Sequence, residues 1–166
     1  MEQGAEAIVM TASGCGAMVK EYGHVLKHDP AYADKAERIA ALTKDIGEVL
    51  VGEDLAKLRP KAPGKIAFHS PCTLQHGQRL SGLVEGLLTD LGFDLTEVAN
   101  PHLCCGAAGT YSITQPELSE KLLANKLDAL RAGGPEVIAS ANIGCQAHLA
   151  TQAGVPVKHW VELLET

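Results

Sequence analysis

Two adjacent thiols, Cys104 and Cys105, followed by Gly106, form the stretch of this chain whose residue types most directly imply chemistry. Cys72 precedes the pair by 31 intervening residues, and Cys145 follows Gly106 after 38. Each thiol sits among small or turn-forming residues: His69-Ser70-Pro71-Cys72, Pro101-His102-Leu103-Cys104-Cys105-Gly106 and Asn142-Ile143-Gly144-Cys145. Turns of this kind expose backbone and gather thiols at strand ends, where iron or zinc can be held. Neighbouring cysteines strain a bond to each other, so a shared metal centre suits them better than a mutual disulfide. The competing reading is that the five cysteines are buried and free, acting as small hydrophobes.

Composition sets the outer bounds. At 166 residues the chain is one domain, long enough to bury roughly two thirds of its unfolded surface. Its net charge of −6 argues against nucleic acid as a partner. No apolar run approaches the roughly 20 residues that cross a bilayer, and a signal peptide's basic and apolar regions are not seen. An odd number of cysteines without an export signal points to a reducing compartment, hence the cytoplasm.

The elements that must position the thiols alternate between strand and helix. Segment 7–11 reads as a short buried strand, 17–27 as a helix, and Pro30 with Tyr32 opens a longer helix. In that helix Ile39, Leu42, Ile46 and Leu50 make one apolar stripe. Segment 59–64 is a linker by composition. Strand 65–69, helix 79–91 and the alternating strand 93–98 follow. Pro116 opens a helix with Leu118, Leu122, Leu123 and Leu127 inward, closed by Gly133 and Gly134. Strand 137–140, a helix after Cys145, an extended stretch at 156–160 and a last turn at 161–164 complete the chain. This order predicts an α/β fold, a parallel sheet flanked by helices on both faces, with the cysteine site at the C-terminal strand ends.

A weak internal repeat is visible. An apolar strand and a small-residue turn lead to Gly14-Cys15-Gly16-Ala17 and again to Gly144-Cys145-Gln146-Ala147, about 130 residues later. We read residues 1–166 as one compact unit in which 1–58 is the end of a first repeat and 59–166 a complete second one. On that reading the chain begins inside a duplicated unit.

The spacing Cys72, Cys104-Cys105-Gly106, Gly144-Cys145 and His148 resembles that of the cysteine-rich CCG domain family, which includes a subunit of heterodisulfide reductase and the lactate-utilisation proteins. The likeness is strongest to the C-terminal part of the iron–sulfur subunits of bacterial glycolate oxidase. It is carried by residues 11–22, 101–111 and 141–149 and runs the length of the chain. The ferredoxin-like Cys-x-x-Cys runs of those subunits are not in this sequence.

The resemblance implies an electron-transfer module. A flavin-containing subunit would oxidise glycolate to glyoxylate, and this chain would pass the electrons to an acceptor through an iron–sulfur cluster of the 4Fe-4S type. It would not be catalytic alone. Peripheral membrane association would come only through the complex. Carried over by position, Cys72, Cys104, Cys105 and Cys145 become metal ligands, and His148 stands where the family motif has its last cysteine. Cys15 is a remnant of the first repeat and should ligate nothing. In an isolated chain the cluster would be lost to oxygen or replaced by zinc, the folded core surviving. Two alternatives stand beside this reading: a structural zinc or subunit-docking domain, and a heterodisulfide reductase-like subunit.

Other candidates are weaker. His69 and His102, with Gly106, read as groups supporting the ligands through hydrogen bonds or close backbone. His24, His28, His76 and His159 read as surface residues. Segment 106–110 lacks the lysine of a phosphate loop. Tyr111 and Trp160 read as packing residues, and no residue set for hydrolysis stands out.

Overall fold

The computed structural model describes residues 4–58, 60 and 64–165. Its main sheet has four parallel strands in the order β4-β3-β5-β6: β3 (Lys65–His69), β4 (Asp94–Leu95), β5 (Val137–Ser140) and β6 (Val157–His159). A smaller sheet pairs β1 (Ile8–Met10) in parallel with β2 (Thr43–Asp45).

The sheet separates two apolar layers because successive side chains along a strand point to opposite faces. Ile66 and Phe68, with Val137 and Ala139, face a core closed by α5 (Leu83–Asp90) and the short helical turn Trp160–Leu164. Ala67 and Ile138, the residues between them, face a second core with Leu123, Leu127 and Leu130 of α7 (Pro116–Arg131) and Leu149 of α8 (Ile143–Ala150). Both β3 and β5 are buried on either face apart from Lys65, and they accordingly read as near-continuous apolar runs.

Chain order creates the site. From β3 the chain crosses to β4 on one side, then returns to β5 on the other side of β3. The loops leaving β3 and β5 therefore diverge, opening a crevice at the C-terminal ends of these two strands. His69 and Ser140 are register partners there.

The first sixty residues differ from expectation in detail. The stripe from Ile39 to Leu50 is not one helix: α3 (Ala33–Leu42) ends, β2 intervenes, and α4 (Ile46–Leu50) restarts. Asp45 causes the restart, its Oδ1 accepting from the Gly47 amide at 3.0 Å while Glu48 returns to the Asp45 amide at 2.7 Å. The helix expected at 17–27 starts earlier, as α1 (Ser13–Lys20), and breaks at Glu21 before α2 (Tyr22–Val25). The helix expected at 79–91 begins only at Leu83. A π-helical turn, Thr73–Gly77, precedes it, and Gly82 with φ +77 separates the two. A further short helix, α6 (Tyr111–Thr114), precedes α7, and Leu118 is exposed rather than inward. Most of the linker expected at 59–64 lies outside the described residues.

The N-terminal segment is tied to the site side of the main sheet. Ser13 Oγ and Thr73 Oγ1 are 2.8 Å apart, and Asn142 Nδ2 donates to Ser13 Oγ at 3.2 Å. Gln78 Nε2 donates to the Ser13 carbonyl at 3.0 Å and to Asp45 Oδ2 at 3.2 Å. His159, expected at the surface, meets the Thr11 carbonyl through Nε2 at 2.7 Å and caps the final turn. No helix among the described residues is long and apolar enough to cross a membrane.

Candidate metal centre

Each thiol is delivered by a different local device. Cys72 follows β3, stands at the N-terminal end of the π-helical turn and is exposed. Cys145 lies in the first turn of α8, which Asn142 caps by accepting from the Gly144 amide through Oδ1 at 2.9 Å. Cys104 and Cys105 come from the long connection between β4 and α6, where Gly106 takes φ +92. A Cβ on Gly106 would lie 2.4 Å from the Ser119 carbonyl oxygen, so the backbone approach there requires glycine.

The four thiols influence one another in sequence, Cys72 with Cys104, Cys104 with Cys105, and Cys105 with Cys145. A ring nitrogen of His69 joins the sulfurs of Cys105 and Cys145, these ligand atoms lying within 4.8 Å of one another, and all three residues are buried. His69 Nδ1 and Ser140 Oγ are 3.0 Å apart across the β3–β5 register, which fixes the ring.

Electrostatics alternate along the sulfur chain. The contacts from Cys105 and then Cys72, helped by the Gly106 amide 3.3 Å from its sulfur, hold the Cys104 thiol down at about 2. The same contacts, with burial, push Cys105 and Cys72 up. Cys105 pulls Cys145 down in turn. Burial lowers His69 from 6.5 to about 3, Lys126 adding to the effect, so the imidazole is neutral and able to offer a lone pair. Sulfur and neutral imidazole together are a soft donor set suited to iron–sulfur centres or zinc, and the thiolates that metals require are already favoured at two of the four sulfurs.

The remaining sequence candidates are placed as follows. His148 projects from α8 beside the site, its Nε2 3.2 Å from Ser119 Oγ, which itself donates to the Gly106 carbonyl at 2.8 Å. His102 is exposed. Cys15 is exposed in the first turn of α1, and all five cysteines are free. Tyr111 is half-buried, whereas Trp160 is fully buried in the core.

Sequence reasoning missed Ser140, Ser119 and Lys126. Ser140 carries no signal beyond its place at a strand end. Lys126 carried a usable one, because it shares the inward spacing of Leu123, Leu127 and Leu130 and is only 1% exposed.

Comparison with known proteins relates the cysteine-bearing segment to a family. The model of the cysteine-rich domain, CCG, matches residues 66–150, which span the whole sulfur chain. The chain belongs to the cysteine-rich CCG domain family. Lactate utilization protein A of Bacillus subtilis is 32% identical over 178 residues, covering 99% of this chain and 72% of that protein. The glycolate oxidase iron-sulfur subunit of Escherichia coli is 55% identical over 165 residues, 99% of this chain and 40% of that protein. The probable glycolate oxidase iron-sulfur subunit of Bacillus subtilis is 34% identical over 143 residues, 84% of this chain and 32% of that protein. The CCG chain thus spans well under half the length of these two subunits.

Proposed function

We propose that this CCG domain is the electron-carrying part of a glycolate oxidase iron–sulfur subunit. The observation that carries the reading is the buried group of His69, Cys105 and Cys145, with Cys104 next in the chain and Cys72 acting on Cys104, in a protein 55% identical to such a subunit. Those four cysteines are the proposed ligands of an iron–sulfur cluster of the 4Fe-4S type, one to each iron, with the neutral His69 ring supporting the sulfurs of Cys105 and Cys145. His148 then holds Ser119 and, through it, the Gly106 carbonyl. When bound, the cluster supplies one-electron redox chemistry.

The protein's own part is to gather and orient the thiols, favour thiolate at Cys104 and Cys145, and shield Cys105 and Cys145 within the α7–α8 core. A flavin-bearing partner is the proposed source of electrons from glycolate. Residues 59–166 are taken as the cysteine-bearing repeat and 1–58 as part of another. The free cysteines support a reducing, cytoplasmic setting.

The reading expects no glycolate-dependent dye reduction by the purified chain alone. Bleaching of the reconstituted chain should follow when the flavin-bearing partner and glycolate are added anaerobically. Glycolate oxidation by the chain alone, above a buffer blank, would overturn a purely electron-carrying role. A colourless zinc-loaded chain that never bleaches would favour the structural alternative.

A further inference from the structure

Among the described residues Lys126 is the one buried lysine, and no carboxylate pairs with it. Removing an ammonium from water is costly unless its charge is answered. Its Nζ donates to the Pro101 carbonyl at 3.0 Å and the Asn100 carbonyl at 3.4 Å, just before the paired cysteines. Asn100 has φ +49, a left-handed turn conformation that asparagine tolerates, so the grip falls on the turn leading into the paired cysteines. Two helical turns earlier on α7, Ser119 Oγ holds the Gly106 carbonyl. The segment carrying Cys104 and Cys105 is thus pinned at both ends by one helix face.

We propose, resting on the electron-transfer reading, that Lys126 is a positioning residue that fixes the Cys104–Cys105 loop and supplies the cation favouring the reduced cluster. A thiolate-ligated centre is negatively charged and becomes more so on reduction, which a nearby buried cation stabilises. Burial pulls the Lys126 ammonium down, while the neighbouring cysteines, Cys105 and Cys104 foremost, pull it back up. The step at issue is one electron entering the centre, with no bond made or broken and Lys126 keeping its proton.

The test compares Lys126→Met, Lys126→Arg and wild type in the full chain, reconstituted anaerobically and titrated with dithionite. Optical bleaching reads the potential, and amide exchange over residues 100–106 reads the loop. For Lys126→Met the one-electron reduction constant should fall about tenfold, a shift of about 59 mV, and the loop amides should exchange faster. Lys126→Arg should retain most of the wild-type potential. If Lys126→Met does not fold, Lys126→Gln takes its place. An unshifted potential in the charge-free variant overturns the role of Lys126 even where exchange is faster. A wild-type chain that gains no colour refutes the electron-transfer reading instead, and the proposal falls with it.

Discussion

Replacing Cys105 by alanine is expected to yield a folded chain that binds no cluster. Cys105 is the inner link of the sulfur chain, touching Cys104 on one side and Cys145 on the other, and is only 1% exposed. It also belongs to the apolar layer formed by Leu123, Leu127, Leu130 and Ile138. Alanine keeps that layer apolar and removes little volume, so the stability cost should stay at about 1–2 kcal/mol. The loss of metal affinity should be far larger. Removing a group that merely orients a ligand costs roughly 10–100-fold, and removing a central ligand costs at least about 100-fold. Iron and sulfide analysis of the reconstituted variant, beside Cys15→Ala as a control on the exposed thiol of α1, reads this directly. Full loading of Cys105→Ala would show that the buried sulfur is only core packing.

Gly106→Ala is expected to be the most damaging single methyl in the site. The residue sits at φ +92, and its Cβ would meet the Ser119 carbonyl oxygen at 2.4 Å and His148 Nε2 at 3.2 Å. The first contact is backbone of α7 and cannot turn away. Left-handed strain and overpacking together should cost about 2–4 kcal/mol. Relief would require moving the Cys104–Cys105 loop off α7, breaking the bond from Ser119 Oγ to the Gly106 carbonyl. Chemical denaturation should show the stability loss, and reconstitution should show reduced iron per chain. Gly109→Ala is the matched control: its φ is +62, but nothing lies within 4 Å of an added Cβ. If the two variants behave alike, close packing at Gly106 is not what sets the site.

The chemistry of this chain was more legible than its geometry. Adjacent cysteines followed by glycine, with outlying thiols at turn sequences, point to a shared centre because few other uses suit them. The parallel sheet was legible from apolar runs such as 137–140, which need burial on both faces. The β2 strand was not, because Thr43-Lys44-Asp45 has neither an apolar run nor strand periodicity. It exists because it pairs with β1, in the extended stretch between the end of α3 at Thr43 and the start of α4 at Asp45.

The histidines show the limit most clearly. His69 and His148 both stood near thiols in sequence. Only the register of β3 on β5 sets His69 against Ser140, and only the packing of α7 on the cysteine loop gives His148 its Ser119 partner. Lys126 went unread because lysine ordinarily marks a solvated helix face, and here a loop carbonyl pair replaces the water.

The central claim is that the gathered sulfurs hold a redox-active iron–sulfur centre. The most direct measurement is the visible spectrum of the anaerobically reconstituted chain, with iron and acid-labile sulfide counted, before and after dithionite. The account predicts broad visible absorption with iron and sulfide bound, and reversible bleaching on reduction. A chain that instead binds one zinc, stays colourless and gives the same spectrum with and without dithionite would contradict it.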